Sequence, residues 1–253
     1  MIYEKPSGSY YNLFCDMASQ PHLLIAGATG SGKSVVVNGI ITTLLYRFPG
    51  DSAGSAQFIL IDPKRVELSP YKRLPHTICY ASEPDDMINA LHYAMKICDE
   101  RYKVMQARGE RKYTGGDIYV IVDEWADLMT TQRRIVAPVV QRLAQVGRAA
   151  RVHVILCTQT PIAKVIPTEI KCNFDARVGL RTRSAQDSRN ILDKTGLELL
   201  PVFGQGIYMT PYEETLYKIP YVPEEEQDRL IYWWESQKPV EKKKKRRFLS
   251  WKK

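Results

Sequence analysis

The segment from Gly27 to Ser34 constrains the fold of this 253-residue chain more than any other stretch. Its sequence, Gly-Ala-Thr-Gly-Ser-Gly-Lys-Ser, fits the pattern Gly-x-x-x-x-Gly-Lys-[Ser/Thr] at every defined position. It lies between an apolar run, residues 22–26, and a region of helical spacing that extends from Gly32 to about Arg47. Glycines let a loop bend closely enough for backbone N–H groups to point at phosphate oxygens, and a helix N-terminus adds positive charge. The segment therefore predicts a strand, a phosphate-binding loop (the P-loop) and a helix in succession.

This pattern also assigns ligands for a nucleotide and its metal ion. Lys33 is expected to reach the β- and γ-phosphates, and the Ser34 hydroxyl is expected to bind Mg²⁺. We therefore expect ATP and Mg²⁺ as cofactors. The predicted ATP-binding residues are Gly27, Ala28, Thr29, Gly30, Ser31, Gly32, Lys33 and Ser34.

Short apolar runs alternate with longer segments of helical spacing along the rest of the chain. Strands are predicted at residues 58–62, 77–80, 118–124, 151–159 and 176–180, and helices at residues 82–109, 135–146 and 223–234. The apolar runs at residues 206–209 and 215–219 indicate an antiparallel hairpin. Such alternation predicts an α/β fold, with a twisted, mostly parallel sheet flanked by helices and a C-terminal hairpin.

Two adjacent carboxylates end the strand predicted at residues 118–124. Asp123 supplies the metal-binding carboxylate that a P-loop needs at the end of a buried strand, and Glu124 can polarise a water for attack on the γ-phosphate. The alternative for Glu124 is a solvated acid at a strand end. Gln159 ends the strand at residues 151–159, in the crevice where polar strand ends meet phosphates, and is a candidate γ-phosphate sensor. Together these residues favour a nucleotide hydrolase over a small-molecule kinase.

Positive charge is concentrated at the C-terminus. Residues 238–253 hold nine basic residues and one acidic residue, a net +8 that equals the formal charge of the whole chain. The first 237 residues are therefore charge-balanced. This argues against a protein that binds nucleic acid through positive charge spread over its whole surface. We divide the chain into one folded domain, 1–237, and a basic tail, 238–253. The tail has three interpretations: a disordered solvated end, a DNA tether, or a contact with an anionic membrane through Phe248, Leu249 and Trp251.

Other sequence features indicate where in the cell the protein is expected. No apolar run approaches the roughly 20 residues that span a bilayer, and the first residues lack the pattern of a signal peptide. Five widely spaced cysteines with no Cys-x-x-Cys indicate neither a disulfide framework nor a zinc site. We expect a cytoplasmic protein, with peripheral contact at the inner face of the membrane if the tail binds lipid.

Five ordered motifs resemble those of one known family. They are residues 21–27 leading into the P-loop, Ile61-Asp62-Pro63-Lys64 followed by Glu67, residues 122–129, Thr158-Gln159-x-Pro161, and residues 187–193. In this order and spacing they are similar to the motor domain of the FtsK/SpoIIIE double-stranded DNA translocases, which are RecA-like P-loop ATPases. The resemblance extends from about Asn12 to about Tyr221.

The resemblance implies a hexameric ring that threads duplex DNA and hydrolyses ATP between subunits. The arginine that would complete a neighbour's site corresponds to Arg148, with Arg151 as a nearby competitor. Family members commonly carry a DNA-contacting arginine after Thr-Gln and a lysine before Asp-Ser-Arg, where this chain has Thr160 and Ala185. The candidate DNA-binding residues are Arg189, Arg183, Arg181 and Lys164.

We therefore expect an ATP-driven double-stranded DNA translocase core. The family's membrane-spanning, linker and winged-helix regions have no counterpart in the sequence, and size alone suggests a role in DNA transfer, packaging or segregation for a mobile element, phage or plasmid. A DNA-processing or transfer-channel partner would fit that role. Two alternatives stay open: the ATPase of a protein secretion system, and a non-motor, ATP-gated coupling protein that recruits DNA.

Overall fold

Ten strands form one sheet in the computed structural model, which describes residues 2–4, 10–12, 15–47, 55–201 and 204–236. The strands are β1 (Ile2–Glu4), β2 (Tyr10–Asn12), β3 (Leu23–Ala26), β4 (Ala56–Ile61), β5 (Thr77–Ala81), β6 (Asp117–Val122), β7 (Val152–Thr158), β8 (Ala176–Leu180), β9 (Gln205–Met209) and β10 (Glu214–Lys218). The α-helices are α1 (Lys33–Arg47), α2 (Pro84–Arg108), α3 (Trp125–Thr131), α4 (Arg133–Ala150), α5 (Thr168–Lys171), α6 (Ala185–Leu192) and α7 (Glu224–Ser236). Two short 3₁₀ helices cover Ser69–Arg73 and Leu197–Leu199.

The sheet contains a run of parallel strands, and the strands on one side of that run are antiparallel. Its strand order is β2-β1-β10-β9-β8-β3-β7-β6-β4-β5, and the six strands from β8 to β5 are parallel. Strands β9 and β10 form an antiparallel hairpin in which Leu216 lies opposite Ile207. The predicted mostly parallel sheet with a C-terminal hairpin is therefore confirmed. All six parallel strands end at one edge, which we call the carboxyl edge; they begin at the opposite, amino edge.

Two apolar cores cover the two faces of the sheet. Neighbouring residues of a strand point to opposite faces, so Leu24 of β3 packs in the core with α2, α3 and α4. Leu23, beside it, packs with α1 and α7. Both leucines are 1% exposed, and burial of one such side chain contributes about 1.5–3 kcal/mol. Because helices cover both faces, the connecting loops lie at the carboxyl and amino edges of the sheet.

Helix α2 shows how local sequence sets an element's bounds. Pro84 occupies its first turn together with Asp85 and Asp86, whose charges suit the helix N-terminus. The helix ends where Gly109 adopts φ 66°, a left-handed conformation that favours glycine. The predicted end near Gly109 is thus confirmed, whereas the N-cap is Glu83, one residue after the start of the predicted segment.

Several elements differ from the predicted ones. Strands β1 and β2 were not predicted, because a three-residue strand carries too little periodicity and β1 pairs with the distant β10. Helix α4 extends four residues beyond the predicted end at position 146, until Arg151 adopts φ 55°. Helices α3 and α6 overlap the motifs at residues 122–129 and 187–193, where no helix was predicted.

The basic tail, 238–253, lies outside the described residues, so the division at position 237 stays a prediction. Within the ranges that the structure describes, none of the helices combines the length and apolar character needed to span a bilayer.

Candidate active site

The P-loop lies at the carboxyl edge, between β3 and α1. Gly30 and Gly32 adopt φ values of 77° and 99°, which side chains disfavour. Gly27 is required for a different reason: a Cβ there would lie 2.6 Å from Leu180 Cβ. The loop is tied to the sheet because the backbone N–H of Ala28 donates to the carbonyl of Arg181, at 2.8 Å. These contacts hold the loop against the end of β8.

Lys33 and Asp123 form a buried ion pair. Lys33 is the first residue of α1 and Asp123 directly follows β6, and they are 4% and 1% exposed. The Nζ atom of Lys33 donates to Asp123 Oδ1 at 2.5 Å and to the Asp123 carbonyl at 3.0 Å. Burial disfavours the ammonium, but nearby acidic groups including Asp123 outweigh it and raise the Lys33 pKa above its ordinary value. The lysine is therefore charged at neutral pH.

Further acidic groups surround this pair. The Ser34 hydroxyl donates to Glu67 Oε1 at 2.5 Å. The charges of Glu67 and Asp62 both act on Asp123. Asp62 is fully buried; its Oδ2 accepts from the Leu68 N–H at 3.1 Å, while its Oδ1 has no partner among the residues described. The edge therefore presents negative charge where a cation can be held.

Glu124 has different neighbours from Asp123. It is 2% exposed, and its Oε1 accepts from Thr158 Oγ1 at 2.8 Å and from the Gln159 N–H at 3.1 Å. Its Oε2 accepts from Lys64 Nζ at 3.2 Å. The two adjacent carboxylates thus diverge, one toward the P-loop lysine and one toward the end of β7. Glu124 is not a solvated strand-end acid.

Gln159 links the end of β7 to the P-loop. Its side-chain Oε1 accepts from Thr29 Oγ1 at 2.9 Å, and its backbone N–H donates to Glu124. The predicted sensor thereby touches both the phosphate-binding loop and the predicted base. Thr158, which anchors Glu124, was not among the predicted site residues, although it belongs to the Thr158-Gln159 motif.

The side chains at this edge fit a nucleotide with Mg²⁺. The P-loop offers backbone N–H groups at a helix N-terminus, and Ser31 Oγ is buried there without a hydrogen-bond partner in the described chain. Ser34, Asp123 and Glu67 provide the hard oxygen ligands that Mg²⁺ prefers. No group of three His, Cys, Asp or Glu residues able to hold a metal occurs in the described part of the chain. Magnesium ions at nucleotide sites are usually held by one or two protein side chains together with phosphate oxygens.

Arg148 and Arg151 both lie at the amino edge, away from the P-loop. Arg151 is held within the chain: its Nε and Nη2 donate to the two oxygens of Asp117 at 2.8 and 2.5 Å. The exposed side chain of Arg148 makes no hydrogen bond or ion pair with any residue that the structure describes, and it lines a cleft with Pro21 and Asp175. The geometry therefore separates the two candidates, with Arg151 engaged and Arg148 available.

The predicted DNA-binding residues lie at the carboxyl edge. Lys164 is in the loop after β7, Arg183 lies just before α6, Arg189 is on α6, and all three are exposed. Arg181 directly follows β8 and is partly buried, and its carbonyl contacts the P-loop.

Two contacts join these cations into one region. Asn190 of α6 donates to the Pro161 carbonyl at 2.8 Å, which ties the helix to the loop after β7. Arg133, which was not predicted, donates to the Lys164 carbonyl at 3.2 Å. Arg133 and Lys164 are far apart in the sequence, so local patterns could not show that the two residues lie side by side.

The sequence model of the FtsK/SpoIIIE family matches residues 5–117 and 114–163. The DNA translocase FtsK of Rickettsia prowazekii (strain Madrid E) is 37% identical over 240 residues, which cover 78% of this chain and 32% of that protein. The DNA translocase FtsK of Chlorobaculum tepidum is 37% identical over 237 residues, covering 85% of this chain and 29% of that protein. The chain thus spans about a third of the length of these curated relatives.

Solved structures share the fold at lower identity. The conjugation coupling protein TcpA, in its monomer form with ATPγS, superposes with a TM-score of 0.77 at 24% identity, covering 92% of this chain and 70% of that chain. The type VII secretion ATPase EccC of Thermomonospora curvata gives 0.77 at 20% identity, covering 92% and 30%. ATPases 2 and 3 of EssC from Geobacillus thermodenitrificans give 0.80 at 14% identity, covering 92% and 47%. The predicted P-loop ATPase fold is confirmed.

Proposed function

We propose, because the chain belongs to the FtsK/SpoIIIE family, that it is an ATPase whose hydrolysis drives the translocation of double-stranded DNA. One observation carries the proposal: the two acids that follow β6 diverge, Asp123 to the P-loop lysine and Glu124 to the end of β7 beside Gln159. That arrangement provides separate groups for metal binding and for activating water. The relatives named as DNA translocases support DNA as the substrate, and we propose that this DNA is double-stranded.

The P-loop residues from Gly27 to Ser34 would hold the phosphates of ATP. Lys33, kept charged by its acidic surroundings, attracts the β- and γ-phosphates, and Ser34 with Asp123 would bind Mg²⁺. When bound, Mg²⁺ neutralises charge on the phosphate oxygens. Glu67, which accepts from the Ser34 hydroxyl, would help to hold the ion or its waters.

Glu124 would orient the attacking water and accept its proton at a carboxylate oxygen. Its Oε1 is engaged by two fixed donors, Thr158 and the Gln159 N–H, whereas Oε2 accepts from the exposed side chain of Lys64, so Oε2 is the oxygen that can become free for this role. A positioned general base contributes about 10²- to 10⁴-fold in rate. Gln159, which accepts a hydrogen bond from Thr29 of the P-loop, would couple the presence of the γ-phosphate to the conformation at the end of β7.

Arg148 would act on the site of a neighbouring copy. Helix α4 has 18 residues, a rise of about 27 Å, and Arg148 lies at its C-terminal end, beside the start of β7. This separation from the P-loop supports action in trans and a closed ring, for which we propose six copies. An arginine in that position stabilises charge in the transition state and raises the rate by about 10³- to 10⁵-fold.

Mixing variants tests action in trans. Arg148→Ala and Lys33→Ala subunits are each expected to be inactive alone, because each lacks one half of every site. Mixed assemblies contain interfaces with an intact P-loop and an intact arginine, so partial ATPase activity is expected. Absence of activity at every mixing ratio would count against the trans role of Arg148.

The grip on DNA would come from Lys164, Arg183, Arg189 and Arg133, with Arg181 nearest the P-loop. Contacts to phosphates need positive charge and little geometric precision, which suits movement along any sequence. ATPase rate with and without linear duplex DNA tests the function directly. We expect duplex DNA to raise the rate and Lys33→Ala to abolish it; an ATPase indifferent to DNA would favour a protein-secretion role instead.

A further inference from the structure

The Glu124 carboxylate is surrounded by hydrogen-bond donors. Oε1 accepts from the Thr158 hydroxyl and from the Gln159 N–H, at 2.8 and 3.1 Å. Oε2 accepts from Lys64 Nζ at 3.2 Å and makes a longer contact, 3.3 Å, with the same Gln159 N–H. A carboxylate oxygen offers about two lone-pair sites. Little acceptor capacity is left at Oε2 for a further partner while Lys64 stays in place.

Lys64 differs from the other donors in charge and in freedom. Thr158 is fully buried and the Gln159 N–H belongs to the backbone, so both donors are fixed. The Lys64 side chain is 44% exposed, against 3% for Glu124. Its ammonium is the one cation that the structure pairs with Glu124 among the described residues. It can therefore leave for solvent or another anion while the neutral donors hold the carboxylate in orientation.

The loop that carries Lys64 is fixed from both sides. Asp62 Oδ2 accepts from the Leu68 N–H, which closes the loop at its base. Arg65, the next residue after Lys64, adopts φ 58° and forms an ion pair with Glu83. Glu67 contacts Ser34 of the P-loop. The loop thus presents one cation to the predicted base and one carboxylate to the predicted metal ligand.

From this geometry we infer that Lys64 is a positioning residue that restrains Glu124: its ammonium occupies Oε2 and keeps the attacking water from that oxygen. The inference rests on the proposed function, in which Glu124 is the base. Rapid hydrolysis then requires Lys64 to release Oε2. Removal of the ammonium is expected to raise the rate of hydrolysis, whereas removal of Glu124 abolishes it.

Steady-state ATPase kinetics without DNA test the inference with Lys64→Met, Lys64→Arg and the matched control Lys72→Met, which alters an exposed lysine of the nearby 3₁₀ helix. A half-exposed ion pair is weak, so we expect Lys64→Met to raise kcat by up to about fivefold. KM for ATP is expected to stay the same, because the hydrogen bond and ion pair of Lys64 within the described residues go to Glu124 and not to the P-loop. Lys64→Arg keeps a cation at Oε2 and should retain the restraint, and Lys72→Met should match the unmodified chain.

Each result distinguishes the inference from the function on which it depends. A lower or unchanged kcat for Lys64→Met, measured on protein with an unaltered melting midpoint, would overturn the restraint and leave the ATPase assignment intact. A rise in kcat that persists in the double variant Lys64→Met, Glu124→Gln would also overturn it, since the restraint acts through Glu124. Absence of ATPase activity in the unmodified chain would refute the proposed function and the inference together.

Discussion

Arg148 and Arg151 lie within one helical turn of each other, yet the structure predicts opposite consequences for their removal. Arg151 donates two hydrogen bonds to Asp117, which is 7% exposed and also contacts His153 Nε2 at 2.9 Å. Arg148 has no such partner in the described chain. We therefore expect Arg151→Ala to lower stability and Arg148→Ala to lower activity.

The magnitude follows from the Asp117 carboxyl. Burial alone would raise its pKa, but the hydrogen bonds and charges of His153 and Arg151 lower it from 3.8 to about 2. A shift of this size corresponds to about 2.4 kcal/mol of stabilisation of the ionised form. Because Arg151 shares that effect with His153, Arg151→Ala should reduce the free energy of unfolding by about 1–2 kcal/mol. Arg148→Ala should change it by less than about 0.5 kcal/mol.

The pH dependence has a defined sign. The folded pKa of Asp117 lies below the unfolded value, so its stabilisation is fully present above pH 3.8 and is lost as pH falls from 3.8 toward 2. The stability difference between Arg151→Ala and the unmodified chain should therefore be largest near neutral pH and shrink across that window. Urea unfolding followed by fluorescence of the buried Trp125 measures it.

The second part of the comparison is ATPase activity, measured at a temperature well below the melting midpoint of each variant. Arg151→Ala is expected to keep most of the activity of assembled protein, and Arg148→Ala to lose nearly all of it. The reasoning is refuted if Arg151→Ala retains full stability but loses hydrolysis, or if Arg148→Ala destabilises the fold by more than about 1 kcal/mol.

Three further changes have expected outcomes. Gly27→Ala should lose ATP binding, measured with a fluorescent ATP analogue, because its Cβ would meet Leu180 at 2.6 Å; Gly39→Ala, with no atom within 4 Å, is the control, and equal binding by both would contradict this. Glu124→Gln should bind ATP while slowing hydrolysis by about 10²-fold or more, and unchanged turnover would remove it from the mechanism. Deletion of residues 238–253 should flatten the salt dependence of DNA binding if the tail contacts DNA, whereas loss of liposome flotation alone would indicate lipid.

Local sequence predicted the parts of the site that lie at strand ends. Each of Lys33, Asp123 and Gln159 belongs to a short motif next to a buried apolar run, and a parallel sheet brings the ends of such runs to one edge. Their assembly needed no information beyond the alternation of strands and helices.

Contacts that depend on loop conformation could not be predicted in the same way. Lys64 and Glu67 belong to a motif that is visible in the sequence, but their contacts depend on how their loop folds. That fold depends on the positive φ of Arg65 and on the hydrogen bond from the Leu68 N–H to Asp62. Neither feature has a periodic signature in the sequence.

Long-range pairs set a second limit. The choice between Arg148 and Arg151 depends on Asp117, 34 residues before Arg151, and strand β1 pairs with β10, more than 200 residues away. The sequence left both arginines as candidates and missed β1, because pattern reasoning operates within one element.

Displacement of a triplex-forming strand from linear duplex DNA tests the central claim most directly, since it requires ATP hydrolysis to be coupled to movement. The assay compares the unmodified chain with Lys33→Ala and Glu124→Gln, each with ATP and with a non-hydrolysable analogue. We expect displacement only by the unmodified chain with ATP, at a rate that follows its DNA-stimulated ATPase. DNA-stimulated hydrolysis without displacement would contradict the translocase assignment and favour an ATP-gated protein that recruits DNA without moving it.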